Sequence, residues 1–319
     1  MTRYTQSARR TSIAILALSA SAGAMAQPAP AKPASPPPAP AKAPAQPRMK
    51  VPSAQEIQDK YIEVTGGKAR YEAVKVRVVK GQLDMPTAGL KATLQVYQAP
   101  GNKFRQILEA PGLGKDDKHK SEIGKVEQGS DGKIVWELTE QYVRILVGEE
   151  RENMLRTTNI RSELELSQMY PMMDSVLGDK IGEHETYKLI LVTFDGSPVN
   201  RFYDRESGLL LRETRTVKNP QSGDIVTQAD FDDYRDVSGL KTSFVTHQRP
   251  LSPPELVKAE QVISINSLEY PETVDPKIFE LPDSVKDAVA KMNGDVPATA
   301  LPGASPTTDK PPLSPGQKP

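Results

Sequence analysis

From residue 90 to 98 apolar and polar positions alternate without a break. Leu90, Ala92, Leu94 and Val96 fall on one side, and Lys91, Thr93, Gln95 and Tyr97 on the other. A period of two is that of a strand with one buried and one wet face. Similar segments recur at about 75–85, 102–110, 121–129, 132–138 and 141–147, then at 174–184, 186–194, 199–204, 208–218, 224–235, 240–249 and 256–269. Turn signals separate them, among them Pro100-Gly101-Asn102, Asp131-Gly132, Asp195-Gly196 and Ser238-Gly239. Consecutive hairpins of this kind predict a long antiparallel meander.

Two stretches break the period. Over 53–64, Ser53 with Glu56 three residues on makes a capping box, and Ile57, Tyr61, Ile62 and Val64 form one helical face. Gly66-Gly67 ends that helix, and a short second helix is expected at about 68–74. Residues 149–168 lack alternation and carry Glu149, Glu150 and Glu152 near their start, where a helix dipole favours acids. They predict one or two helices ending before Pro171. A flat sheet of so many strands is unusual. The expected fold is therefore mainly β with a few α: a strongly curved antiparallel sheet or open barrel, with the helices covering one end or the concave face.

Composition narrows the function. The chain has 319 residues and no cysteine, which excludes disulfides, thiolate metal sites and a cysteine nucleophile. With 41 basic and 41 acidic residues it lacks the charge excess of a nucleic-acid binder. Arg3, Arg9 and Arg10, the apolar stretch Ile13–Ala24 and Ala24-Met25-Ala26 read as a secretory signal over 1–26, and with it a periplasmic, soluble, unanchored location. Residues 27–50 are rich in proline and alanine and read as a disordered linker, and 286–319 as a disordered proline-rich tail. The folded domain is placed at 51–285, which carries 30 basic against 38 acidic residues.

No catalytic or metal-binding motif emerges. His119 lies in the charged run GKDDKHKSE, and His184 and His247 stand alone in strands. The run PGLGKDD at 111–117 lacks the ending of a phosphate loop, and Asp230, Asp232 and Asp233 lack the spacing of a calcium loop. No enzyme, cofactor or metal is expected. A set of methionines, Met85, Met154, Met169, Met172 and Met173, surrounds the helical insert, and methionine suits both irregular cores and adaptable apolar sites.

Several strings resemble the exported relatives of the outer-membrane lipoprotein-sorting carriers, the LolA/LolB-like superfamily. They are KYIEVTGGKARYEAVKVRVVKGQL at 60–83, PTAGLKATLQVY at 86–97, APGLGK at 110–115, VEQGSDGKIVWE at 126–137, RFYDRESGLLLRE at 201–213, DYRDVSGLKTSF at 233–244 and VDPKIFELP at 274–282. The DDKHK run at 116–120 and the proline-rich ends depart from that pattern. The resemblance implies a highly curved antiparallel sheet, an unclosed half-barrel wrapped over helices, with an apolar cavity and non-enzymatic binding of a lipid, an acyl chain or a lipidated protein, and lipoprotein or lipid trafficking as the role. Leu94, Val96, Phe104, Leu108, Leu113, Trp136, Met154, Met169, Met172 and Met173 are the candidate lining. The alternative is an envelope sensor or scaffold whose sheet is filled by its own side chains and which meets other envelope proteins at its edge strands or through its proline-rich ends.

Overall fold

The computed structural model describes residues 50–113, 122–218, 224–253 and 259–294. The chain starts with helices α1 (Ala54–Val64) and α2 (Lys68–Ala73) and then enters six strands: β1 (Arg77–Met85), β2 (Leu90–Ala99), β3 (Lys103–Pro111), β4 (Ile123–Asp131), β5 (Val135–Thr139) and β6 (Val143–Leu146). Helices α3 (Gly148–Thr158) and α4 (Leu166–Met169) follow. Seven more strands come next: β7 (Met172–Leu177), β8 (Thr186–Val192), β9 (Pro198–Asp204), β10 (Leu210–Val217), β11 (Ile225–Val237), β12 (Leu240–Ser252) and β13 (Gln261–Glu269). Helix α5 (Asp283–Gly294) ends the described chain.

All thirteen strands form one antiparallel sheet in the order β6-β5-β4-β3-β2-β1-β13-β12-β11-β10-β9-β8-β7. Each half is a meander, and the first and last strands pair at the centre, Val79 opposite Leu268. The edges β6 and β7 are not paired with each other, so the sheet is open. At about 4.8 Å per strand step, a flat sheet of this width would hold those edges roughly 58 Å apart. The connection between them, residues 147–171, is taken up by α3, turns over 160–164 and α4, and so falls short of that distance. The sheet therefore curves, and the connection lies across its inner face as a strap. Contacts place it there: Gln98 of β2 donates to the Thr158 carbonyl at 2.7 Å, and Gln58 of α1 to the Glu163 carbonyl at 3.0 Å.

The local signals act as their chemistry dictates. Ser53 and Glu56 complete the capping box, the serine backbone N–H donating to the glutamate at 2.7 Å. Gly66 has φ 136°, and a Cβ there would strike the Gly239 carbonyl where α1 meets the β11–β12 turn. Gly129 of β4 faces Trp136 of β5, whose ring stands 2.5 Å from where a Cβ would be. The Arg105 guanidinium lies 5.5 Å from the centre of that ring.

Two expectations are corrected. The strand expected over 174–184 ends at Leu177, because Gly178 and the polar run up to Glu185 turn back through an Ile181–His184 bridge. The tail expected from 286 is helical as far as 294. Val285 is fully buried, and α5 packs on β6 with Asp283 in its first turn, so one edge of the sheet is capped by a helix. His119 and the DDKHK run lie outside the described residues.

Candidate functional site

The inner face of the sheet and the strap enclose a cavity of about 460 Å3, within the usual range of small-ligand sites. Met154, Ile160, Met169, Leu210, Val217 and Phe231 supply apolar walls. Tyr61, Tyr71, Tyr170, Tyr234 and Tyr270 add rings with polar tips. Charged and amide groups also face it: Arg77, Arg156, Arg201, Arg215, Lys241, Glu163, Glu213, Gln106, Gln128 and Gln248. The expected apolar cavity is thus a mixed one. The reason lies in packing. Leucines that meet across neighbouring strands fill the space between them, whereas buried charges need partners and keep their distance.

Of the candidate residues, Met154 and Met169 line the cavity. Leu94, Leu108 and Leu113 belong to a filled cluster with Leu83, Ala92, Ala110 and Val126, against which Val96 also packs. Leu94 and Val96 share the inner face with Gln106, since Leu94 pairs with Leu108 and Val96 with Gln106. Phe104 packs with Val135, Leu146, Met154 and Leu155 beneath α3. Met173 packs on the cluster formed by α1, α4 and β8–β10. Trp136 is buried on the opposite face of the sheet, under Arg105. Met172 is 65% exposed on the edge strand β7.

The largest polar feature of the cavity wall went unread in the sequence. Arg201 of β9 donates through Nε to Glu213 of β10 at 2.8 Å and through Nη1 to Glu163 of the strap at 3.0 Å. Arg215 donates to the other oxygen of Glu213. Gln58 donates to Glu163 at 2.9 Å and accepts from the buried Tyr203 hydroxyl at 3.1 Å. Burial alone raises the Glu213 carboxyl, but Arg215 and Arg201 overcome this and hold it down to about 2. Burial pushes Arg201 the other way from Glu163, whose attraction prevails and keeps its pKa well above the ordinary arginine value. Burial raises Tyr71 to about 12 and also raises Tyr61, Tyr203 and Tyr234, so these hydroxyls stay neutral. The signal that could have revealed this hub is Arg201 with Glu213 and Arg215. A bulge between Leu210 and Arg212 concealed it, because it lets both Leu210 and Glu213 point inward.

Among the described residues no hydrolytic constellation forms. His184 Nδ1 stands 3.4 Å from Asp204, whose other oxygen accepts from Ser207 Oγ at 2.6 Å. The carboxylate thus separates the imidazole from the hydroxyl, and the serine closes a turn. His247 is exposed opposite Asp230. Asp230 and Asp233 are engaged by Arg212 and Arg235. Among the described residues no group of His, Asp or Glu could hold a metal ion, and no helix is long and apolar enough to cross a membrane.

No family model matches the chain, and no curated protein does. Solved structures do. The chain is similar to a LolA superfamily protein from Nitrosomonas europaea, 14% identical over 72% of this chain and 98% of that one, with a TM-score of 0.46. It is also similar to an uncharacterized conserved protein from Thermus thermophilus, 12% identical over 72% and 94%, TM-score 0.26. LprF from Mycobacterium bovis matches at 10% identity over 70% and 96%, TM-score 0.27. Likeness this loose bears on no functional point. What the chain does must follow from its mainly β, open antiparallel sheet and from the cavity that sheet encloses with its strap.

Proposed function

We propose that this protein is an exported, non-enzymatic binding protein of the bacterial envelope that holds an amphipathic ligand beneath its strap. The ligand class is a lipid, an acyl chain or a lipidated protein, and its handling is a step in lipid or lipoprotein trafficking. One observation carries this reading: a 460 Å3 cavity whose wall is part methionine, leucine and phenylalanine and part arginine and glutamine. Each methylene taken out of water against the apolar wall contributes about 0.8 kcal/mol, part of which is lost to the cost of association.

The reading is tested by filling the cavity. Ala229 lines it on β11, opposite Glu213. The Ala229→Phe variant should keep the circular dichroism of the parent and lose uptake of a polarity-sensitive naphthylamine dye. Equal dye uptake by a folded Ala229→Phe variant and by the parent would place binding elsewhere.

A further inference from the structure

We propose that the ligand is an anionic amphiphile, an acyl chain ending in a carboxylate or phosphate, whose charged end is received by Arg77 and Lys241. This deepens the binding reading above and rests on it. The cavity wall carries more positive than negative groups: Arg77, Arg156, Arg201, Arg215 and Lys241 against Glu163 and Glu213. Three of these cations are already neutralised. Arg201 is held by Glu163 and Glu213, Arg215 by Glu213, and Arg156 by Glu149 from outside the wall.

Arg77 and Lys241 have no carboxylate partner among the described residues. Both are half-buried, where an unmatched charge is costly. They line the same end of the cavity. The Lys241 backbone N–H donates to the Thr65 carbonyl at 2.9 Å, Thr65 Oγ1 lies 2.7 Å from the Tyr71 hydroxyl, and Tyr71 is within electrostatic reach of Arg77.

Arg77 is oriented from behind. Its Nε donates to Gln98 at 2.6 Å, and Gln98 is itself anchored on the strap through the Thr158 carbonyl. That leaves the two Nη groups as the fork that a carboxylate or phosphate accepts from. Arg77 also joins the head site to the strap, so a ligand's charge and the strap's position meet at one residue. Away from this end, Met154, Met169 and Phe231 offer the chain an apolar path.

The test compares three probes of matched chain length on the delipidated protein purified after export: palmitate, a palmitoyl lysophosphatidate and hexadecanol. Each is titrated as a competitor of the bound dye. At least one of the charged probes should bind about tenfold or more tightly than the alcohol, the worth of a charge-assisted contact. That preference should shrink with rising salt. Arg77→Gln and Lys241→Gln should each narrow it, and the double variant should bring it near one without weakening the alcohol. A phosphate preference with palmitate equal to hexadecanol identifies the head as phosphate, and the reverse identifies it as carboxylate. If the parent binds hexadecanol as tightly as both charged probes, the anionic head is overturned while the binding reading stands. If none of the three displaces the dye, the binding reading falls and the head site with it.

Discussion

On the wing built from β1–β6, the inward positions of neighbouring strands hold Leu83, Ala92, Leu94, Leu108 and Val126, and these close against one another with Leu113. On β9–β12 the inward positions hold Arg201, Glu213, Arg215, Thr227 and Gln248, which border the cavity instead. At these positions one sheet, with one backbone geometry, is filled on one wing and hollow on the other, and Arg77, Gln106 and Gln128 carry the hollow across to the first wing. Apolar side chains gain by closing every gap. Charged ones gain by meeting a few partners at set angles, and they leave space between them. The side-chain carbonyl oxygen of Gln248 is buried with no partner, an acceptor left over in the hollow wing.

The largest expected effect breaks the hub. Glu213→Ala leaves Arg201 and Arg215 without their shared carboxylate and should cost about 3–5 kcal/mol, measured by urea unfolding. Acid should reach the same contact. The Glu213 carboxyl sits near 2, below its ordinary 4.5, so the unfolded chain takes up the proton first on acidification. The stability it contributes is whole above about pH 4.5 and is lost as pH falls toward 2. A pH series of unfolding midpoints should show a shallower acid limb in Glu213→Gln than in the parent.

On the filled wing, Leu108→Ala should cost about 2–5 kcal/mol yet leave dye affinity unchanged, because Leu108 faces its own cluster and not the cavity. Loss of dye binding without loss of stability would erase the distinction between the wings. Gly129→Ala should cost about 1–3 kcal/mol, since the methyl meets Trp136 on the far face of the sheet, and its thermal midpoint should drop with binding intact. Smallest is Ser53→Ala, which removes one half of the α1 capping box and should cost about 1 kcal/mol by the same unfolding assay.

Most of the framework was legible because its signals are local. The alternation at 90–98 becomes β2, the capping box starts α1, and the acidic start and missing alternation of 149–168 become α3 and α4. Helix α5 was missed because its short face of Val285, Ala288 and Val289 sits in a proline-rich stretch whose composition outweighed it. The site was less legible for a different reason. Periodicity identified the face of Leu94, Val96 and Leu108, but which part of a face is packed and which hollow depends on strands far apart in sequence. Arg201 and Glu163 are 38 residues apart and meet only once the strap crosses the sheet. Trp136 shows the limit of bulk as a guide: the only tryptophan packs against Gly129 and Arg105, away from the cavity.

The most direct measurement is native mass spectrometry of the protein purified from a periplasm, followed by organic extraction of whatever dissociates. A reproducible added mass that extracts as a fatty acid or phospholipid, and that is absent from the Ala229→Phe variant, is the predicted result. A bare polypeptide mass, with no uptake of added fatty acid or lipopeptide, would contradict it and leave a sheet whose polar hollow serves no ligand of this class.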